Sequence, residues 1–356
     1  MKRISKILAA CLLVILFAFI SLLAWLTVTE YRPKNQETAD TEILKELPLE
    51  NPPGSDRPIR ILSWNTGYAG LDAGADFFMD GGTMVSPESQ AAVQKNLSAV
   101  ADFLKQEDYD ICFLQEVDRS SDRTGNADEL SYYSGQTGLG FSYAPNYRCS
   151  FVPYPFPPIG KTESGIATMS NLGMSENPVR ISLPCPFRWP VRLANLKRCL
   201  LITRYPITGS DKHLVAVNLH LEAYDDGEGK KAQTDALMKI LQEEYKKGNY
   251  VIAGGDFNQT FPGSLDVFPI KDPGLWTPGV VEKGMLPEGW SLAYDVSAPS
   301  CRLLNQPYDP DSADTQHYVI DGFITSPNVA VDSVKTVDLA FANSDHNPVE
   351  LQITLE

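Results

Sequence analysis

The chain has 356 residues, of which 43% are hydrophobic and 21% are charged, and its formal net charge at pH 7 is −15. This length is sufficient for one large domain or two small ones with a complete hydrophobic core. So acidic a surface argues against a general nucleic-acid coat protein, but not against an enzyme with a locally positive or metal-loaded cleft.

The N-terminus has the pattern of a membrane anchor. The stretch from Ile7 to Val28 carries no charge and is long enough for a bilayer, which requires about 20 residues. Lys2, Arg3 and Lys6 precede it, which places the N-terminus in the cytoplasm and the rest of the chain outside. A cleaved signal peptide fits less well because no small-residue cleavage site follows. Lipoprotein cleavage before Cys11 fits less well because the preceding apolar stretch is short. We expect an uncleaved single-pass anchor within residues 1–28.

Residues 29–56 are polar, with four prolines and several acids, and we predict a flexible tether there. The folded part begins near residue 57. No internal repeat or second linker follows, so residues 57–356 are predicted to form one domain. The six cysteines have no metal-ligand spacing, although one or two disulfides are compatible with an external location.

Apolar runs and helical periodicity alternate along this domain. Strands are predicted over residues 59–65, 110–116, 164–169, 198–203, 214–221, 250–253, 319–324 and 349–355. One helix is predicted from an N-cap at Ser86 through Lys105, and another over residues 232–247. Long irregular stretches separate them. This order indicates a layered α/β fold.

Polar side chains stand at the ends of these strands. They are Asn65, Glu116, His220, Asp256, Asn258, Asp321, Asp345 and His346. Asp256 and Asn258 follow two glycines and can face one cavity, where a carboxylate orients water and an amide donates to a phosphate oxygen. Carboxylate and amide oxygens also suit Mg²⁺. Each residue alone has an ordinary structural explanation, as a core histidine, a cap or a turn, but their joint order indicates a site.

The pattern resembles the endonuclease/exonuclease/phosphatase superfamily, which includes deoxyribonuclease I-like nucleases, neutral sphingomyelinases and inositol polyphosphate 5-phosphatases. The matching pieces are Ser63-Trp64-Asn65, Leu114-Gln115-Glu116-Val117, Val217-Asn218-Leu219-His220-Leu221, Gly254-Gly255-Asp256-Phe257-Asn258, Ile320-Asp321-Gly322-Phe323 and Ser344-Asp345-His346-Asn347-Pro348. The resemblance implies a four-layer α/β sandwich, in which two packed mixed β-sheets are flanked by helices and the site lies at one rim.

The resemblance also implies a metal site and a water-activating group. Glu116, helped by Asn65, would hold a divalent ion, Mg²⁺ or else Mn²⁺, and Asp345 would contribute to metal binding. Asp256 would orient or deprotonate the attacking water. Asn258 would hold the scissile phosphate.

Two histidines complete the implied roles. His346, braced by Asp321, would polarise the phosphate or share in the base role. His220 matches the histidine that assists the leaving group. Glu163 could orient His220, but this match is loose and Glu163 could equally be a surface residue.

These residues favour a metal-dependent phosphoester hydrolase, most consistent with a phosphodiesterase, that faces outward from the membrane. A membrane-anchored nuclease acting on DNA or RNA and a catalytically silent binding domain are the alternatives, and the complete residue set argues against the silent domain. The substrate would be a lipid head group, a small phosphodiester or a nucleic acid. No obligate protein partner is expected. Net charge and the anchor favour lipid or small substrates slightly, whereas basic residues between positions 180 and 198 could instead form a nucleic-acid patch.

Overall fold

The computed structural model describes residues 2–50, 57–225 and 227–356. The helices are α1 (Lys2–Val28), α2 (Gln90–Gln106), α3 (Glu129–Thr137), α4 (Glu228–Lys246) and the short α5 (Ser264–Val267). The strands are β1 (Gln36–Thr38), β2 (Asp40–Glu42), β3 (Ile59–Asn65), β4 (Ile111–Asp118), β5 (Gly140–Val152), β6 (Gly160–Ser170), β7 (Val179–Ser182), β8 (Cys199–Pro206), β9 (His213–His220), β10 (Tyr250–Asp256), β11 (Gln259–Thr260), β12 (Gly279–Val280), β13 (Ser291–Ala293), β14 (Cys301–Arg302), β15 (His317–Tyr318), β16 (Asp321–Thr325), β17 (Val329–Thr336) and β18 (Val349–Leu355).

Two seven-stranded mixed sheets form the centre of the molecule. The first sheet has the order β17-β18-β3-β4-β6-β5-β2, and the second has the order β1-β7-β8-β9-β10-β16-β13. Helices α2 and α3 pack on the outer face of the first sheet, and α4 packs on the outer face of the second. The predicted four-layer α/β sandwich is therefore confirmed.

Alternation of side chains along the central strands builds these layers. On β3, Ile61 faces the second sheet, whereas Trp64 faces the helices. On β10, Ile252 lies between the sheets, whereas Val251 packs against Leu237 of α4. Successive residues of a strand point to opposite faces, so strands that are apolar throughout can be buried on both sides.

The parallel pairs at the centre of each sheet position the site. Strands β3 and β4 run parallel in the first sheet, and β9 and β10 run parallel in the second. Gln115 joins the two sheets, because its Nε2 donates to Oδ1 of Asn218 over 2.9 Å. The carboxyl ends of all four strands consequently open on the same rim.

Helix α2 begins later than predicted. Its N-cap is Ser89, whose hydroxyl accepts a hydrogen bond from the backbone nitrogen of Ala92 at 3.1 Å. The prediction placed the cap at Ser86. Both serines have the chemistry of an N-cap, and the chain uses the one next to the first helical turn.

The region before β6 contains a long strand that the sequence did not predict. Strand β5 pairs with β6 along most of its length, with register shifts between Pro145 and Tyr147 and between Cys149 and Val152. Proline lacks a backbone N–H and is accepted in a sheet at such irregularities. The proline therefore weakens the sequence signal of β5, which is nevertheless a strand and contains β-bulges.

The predicted tether differs from the structure over its described part. Strand β1 pairs with β7 at the edge of the second sheet, and β2 pairs with β5 at the edge of the first. Leu49 is buried in the core between the sheets. Polar side chains do not prevent a segment from pairing its backbone groups with a sheet edge. Residues 51–56, and with them the predicted boundary of the domain, lie outside the described residues.

Helix α1 is long and apolar enough to cross a membrane, by length and composition. Most of its side chains are exposed. Its last turns contact the domain, where Leu26 packs against Cys149, Val152 and Leu193. Just beyond the helix, the buried carboxylate of Glu30 lies 3.0 Å from Nε of Arg192. The helix thus has a defined junction with the domain.

Candidate active site

The strand ends surround a cavity of about 370 Å³. Six of the predicted site residues line it: Glu116, His220, Asp256, Asn258, Asp345 and His346. Asn65 and Asp321 are buried behind them and contact them. The fold therefore brings all eight predicted residues together.

The carboxylate of Asp256 lies at the centre of several polar contacts in the site. Its Oδ2 accepts a hydrogen bond from Nδ2 of Asn65 at 3.1 Å and lies 3.3 Å from Nε2 of His220. Its Oδ1 accepts from the backbone nitrogen of Asn258 at 2.8 Å. Burial raises the pKa of Asp256 to about 7, with a further contribution from Asp321 and against the opposing charge of His346. This carboxyl group is poised to exchange a proton near neutral pH.

His346 is held as a cation. Its Nδ1 lies 2.8 Å from Oδ2 of Asp321, and its Nε2 lies 3.8 Å from Oδ2 of Asp256. Burial alone would lower the pKa of His346, but the neighbouring Asp321, with Cys301 and Asp345, outweighs burial and raises the pKa well above its usual value. The imidazolium faces the cavity with its Nε2 side.

His220 has the opposite protonation state. Burial lowers its pKa well below the usual value, and the positive charges of Arg198 and His346 lower it further. Its Nδ1 makes no hydrogen bond within the described residues. The suggested orienting contact from Glu163 is wrong for this arrangement, because the Glu163 carboxylate lies 3.7 Å from Arg148 instead.

The two glycines before Asp256 are required by close packing. A Cβ on Gly255 would lie 1.9 Å from the carbonyl oxygen of Leu219, and its φ of 148° also disfavours other residues. A Cβ on Gly254 would lie 2.2 Å from the ring of Phe323. These contacts bring β10 close to both neighbouring strands.

Asn258 adopts a left-handed backbone conformation with φ of 50°. Its Nδ2 donates to the carbonyl oxygen of Leu221 at 3.0 Å. One amide hydrogen is consequently engaged in holding the loop. The role of Asn258 toward a phosphate stays a prediction.

Comparison with protein-family models decides the family. The model of the Endonuclease/Exonuclease/phosphatase family matches residues 62–346, which is most of the chain. The chain belongs to the endonuclease/exonuclease/phosphatase family. The family description covers nucleases and phosphatases, both of which hydrolyse phosphoesters. Comparison with curated proteins found no match.

Solved structures share the fold of this family member. The endonuclease/exonuclease/phosphatase from Beutenbergia cavernae is 16% identical, with a TM-score of 0.60 over 84% of this chain and 72% of that chain. The family protein from Bacteroides vulgatus is 15% identical, with a TM-score of 0.53 over 85% and 100%. The human Nocturnin catalytic domain is 17% identical, with a TM-score of 0.52 over 89% and 97%. Identities this low establish the fold and leave the substrate open.

The acidic groups at the rim fit the divalent ion that the family implies. Glu116 has a left-handed backbone, with φ of 54°, at an irregularity of β4. Burial, with a further contribution from Glu116 and against the charge of His346, raises the pKa of Asp345 to about 7. Crowded carboxylate oxygens are the donors that Mg²⁺ and Mn²⁺ prefer.

Asn65 is oriented differently from the predicted metal ligand. Its Oδ1 accepts a hydrogen bond from the backbone nitrogen of Gly67 at 3.0 Å, and its Nδ2 lies 3.5 Å from Oε1 of Glu116. The amide nitrogen, rather than the oxygen, thus faces the carboxylates. In this arrangement Asn65 holds Glu116 and Asp256 in place, and direct metal contact stays a prediction.

The apolar walls of the cavity carry no motif that sequence reasoning could have used. They include Phe77, Phe78, Val152, Tyr154, Leu196, Trp276 and Leu304. Most come from the irregular stretches, whose aromatic content was the available signal. Trp276 lines the cavity, whereas Trp290 packs against Tyr245.

Proposed function

We propose that this chain is a divalent-metal-dependent phosphoester hydrolase, most consistent with a phosphodiesterase, with Asp256 as the group that orients and deprotonates water. The observation that carries the proposal is the position of the Asp256 carboxylate, between a neutral His220 at 3.3 Å and a cationic His346 at 3.8 Å. Neighbouring groups whose protonation differs in this way suit acid–base chemistry.

The proposed roles of the side chains follow from their charges. A metal ion held by Glu116 and Asp345 would supply positive charge to a phosphoryl oxygen. Asp256 accepts a proton from the attacking water, and the imidazolium of His346 stabilises negative charge on the phosphate. His220 is neutral, so it assists the leaving group through a hydrogen bond.

The test is turnover of a generic aryl phosphodiester by the full-length protein in detergent micelles. We expect hydrolysis with Mg²⁺ or Mn²⁺, loss of hydrolysis in EDTA, and a rate at least about 10²-fold lower in Asp256→Asn, the lower range for a positioned acid–base group. Hydrolysis that persists unchanged in EDTA would refute the metal-dependent mechanism. A folded protein that turns over no phosphoester would support the silent binding domain.

We further propose that α1 anchors the enzyme, with its N-terminus in the cytoplasm and the domain outside. Aromatic side chains are exposed in the loop between Phe151 and Ile159, which both pack in the cluster around Leu26, and beside Thr27 of α1, and they support the anchoring. Phe156 is 95% exposed and Trp189 is 51% exposed. The indole nitrogen of Trp189 donates to the hydroxyl of Thr27 at 3.1 Å. Aromatic side chains are favoured at the boundary between lipid and water.

The cavity favours an amphiphilic substrate such as a lipid phosphoester. Val152 lines the cavity and also packs in the cluster that receives Leu26 of α1, so the cavity wall lies next to the anchor. Tyr154 lines the cavity as well and is 70% exposed. An apolar wall beside a membrane suits an acyl chain better than a polyanion.

The positive patch that would support a nuclease is smaller than the basic residues between positions 180 and 198 suggested. Arg180 is buried, and its guanidinium donates to the carbonyl oxygens of Pro145 and Lys197. Arg192 and Lys197 both lie near the carboxylate of Glu30. These cations are engaged within the protein, which leaves few to release counterions from a nucleic acid.

A further inference from the structure

Among the described residues, Arg198 is a buried arginine whose side chain makes no hydrogen bond, whereas Arg302 on the same cavity leaves only its Nε unpaired. Arg198 precedes β8, is 4% exposed and lines the cavity. Its Nε and Nη1 make no hydrogen bond within the described residues. The nearest carboxylate oxygen, Oε2 of Glu222, lies 3.8 Å from Nε, beyond hydrogen-bond distance. A buried guanidinium with unused donors is costly, so its place on the wall of a cavity calls for a ligand.

Two other arginines of the same structure have their guanidinium groups fully engaged or paired with a carboxylate. Arg180 is as buried, but its Nε, Nη1 and Nη2 donate over 3.0, 2.7 and 2.9 Å to protein oxygens. Arg123 makes a two-pronged pair with Asp118, at 3.0 and 2.7 Å. Those guanidinium groups stabilise the fold. Arg198 has only the loose contact with Glu222.

A second unused donor lies beside it. Asn146 is 2% exposed and lines the cavity, and its Nδ2 has no hydrogen-bond partner among the described residues. Its backbone carbonyl accepts from the nitrogen of Lys197, which fixes it next to Arg198. His220, whose Nδ1 has no hydrogen-bond partner among the described residues, lines the same cavity.

We propose that Arg198 and Asn146 form a subsite for a second oxyanion, a phosphate or carboxylate that the substrate carries on its leaving-group side. The proposal rests on the proposed function, which places the leaving group beside His220. Glu222 lies on the Nε side of the guanidinium and would repel an anion there. The subsite is therefore formed by the Nη groups of Arg198 and the Asn146 amide, which suits a single oxyanion rather than a polyanion.

The kinetic test compares aryl methyl phosphodiesters that differ in one group on the phenol: a methoxy, a carboxylate or a phosphate. Full-length protein in micelles is assayed with Mg²⁺. We expect Arg198→Met to lower kcat/KM for an anionic phenol by about 10–100-fold, the range for a hydrogen bond to a charged group, and to change the methoxy substrate far less. Whichever of the carboxylate and phosphate substrates shows the larger loss identifies the natural anion. Arg188→Met, a change at an exposed arginine outside the cavity, should leave all three rates unchanged.

An equal loss on all three substrates would overturn the subsite, because Arg198 would then act on the scissile phosphate or on the fold. Arg198→Lys, which keeps the charge, and Asn146→Ala provide second variants in case Arg198→Met unfolds. Both should show the same preference for loss on the anionic substrates, to a smaller extent.

A binding measurement separates this proposal from the proposed function. Calorimetric titration with inorganic phosphate is performed in EDTA, where neither turnover nor a bound metal contributes. Weaker binding by Arg198→Met, again by about 10–100-fold, supports the subsite even if no phosphodiester is hydrolysed. Unchanged phosphate affinity would overturn it even if the enzyme is active.

Discussion

Nδ1 of His346 lies 2.8 Å from Oδ2 of Asp321, and this contact joins the two sheets at the rim. Asp321 begins β16 in the second sheet, whereas His346 precedes β18 in the first. The hydroxyl of Ser300 also donates to the same carboxylate oxygen at 2.8 Å. The cationic state of His346 is therefore fixed by a contact that forms only when the sheets pack together.

Replacing Asp321 should deprive His346 of its charge. Asp321→Asn keeps the shape and the contact with Ser300 but removes the negative charge that raises the pKa of His346. We expect this pKa to fall and the phosphodiesterase rate to drop by at least about 10²-fold. NMR titration of His346 and steady-state kinetics measure the two effects. Asp211→Asn, at an exposed carboxylate, is the control, and a lost rate with an unchanged His346 pKa would contradict the explanation.

Glu116→Gln should weaken metal binding more than it affects the fold. The substitution removes a negative charge from the rim and retains the size of the side chain. We expect half-maximal activity to require at least about 10-fold more Mg²⁺. The reason is that the loss of one contact to a charged group weakens binding by about this factor. Metal titrations of the rate measure it, with the exposed Glu107→Gln as control. An unchanged Mg²⁺ requirement would remove Glu116 from the metal site.

Proteolysis of intact cells should report the orientation of α1. Because Lys2, Arg3 and Lys6 precede the apolar stretch, we expect protease added outside to digest the domain and leave a protected N-terminal fragment of a few kilodaltons. The fragment is detected with a tag at the N-terminus. A domain that resists digestion until the membrane is broken would reverse the orientation.

A substrate panel should distinguish the lipid and nucleic-acid alternatives. We expect phospholipid vesicles or inositol phosphates to be turned over faster than single-stranded DNA, double-stranded DNA or RNA at equal Mg²⁺. The physical reason is that the acidic surface repels long polyanions, while anchoring by α1 would raise the local concentration of lipid substrates. Rapid cleavage of DNA without turnover of lipid or small phosphoesters would make this an anchored nuclease.

The stability of the domain should depend on Glu244 in an acidic pH window. Burial alone would raise the pKa of Glu244, but its hydrogen bonds from Arg204 and Lys247 lower the pKa to about 2. A lowered pKa stabilises the fold above the unfolded value of 4.5, and this stabilisation is lost as the pH falls toward 2. We expect Glu244→Gln to cost about 1–3 kcal/mol at pH 7. Urea unfolding should show that this loss of unfolding free energy becomes smaller below pH 4.5. The control Glu243→Gln, at an exposed residue, should cause no loss at any pH.

The location of the candidate site was predictable because its residues have a local signal. Asp256 ends an apolar strand, and His346 precedes one. A carboxylate or an imidazole is seldom required at such a position for structural reasons alone. Their spatial meeting could be expected once the strands were placed, since the carboxyl ends of the parallel strands and the amino end of β18, which is antiparallel to β3, lie at the same rim. The protonation of His346 could not be predicted from the sequence, because it depends on a contact with Asp321 that joins the two sheets.

The walls of the cavity could not be predicted for a different reason. Pro145 interrupts the period of β5, and Arg198 stands in a run of basic residues that looks like a solvated surface. Its burial results from tertiary packing that no short window contains. Asn146 likewise becomes a candidate ligand group only because β5 bulges beside it.

The pairing of β1 and β2 with opposite sheets has a consequence for shortened versions of the protein that lack α1. A cut after residue 42 would strip one edge strand from each sheet and uncover two rows of unpaired backbone groups. Exposed edges of this kind recruit strands from other molecules. A soluble version that starts at Arg57 is therefore prone to aggregate, and one that starts ahead of Gln36 keeps both edges closed.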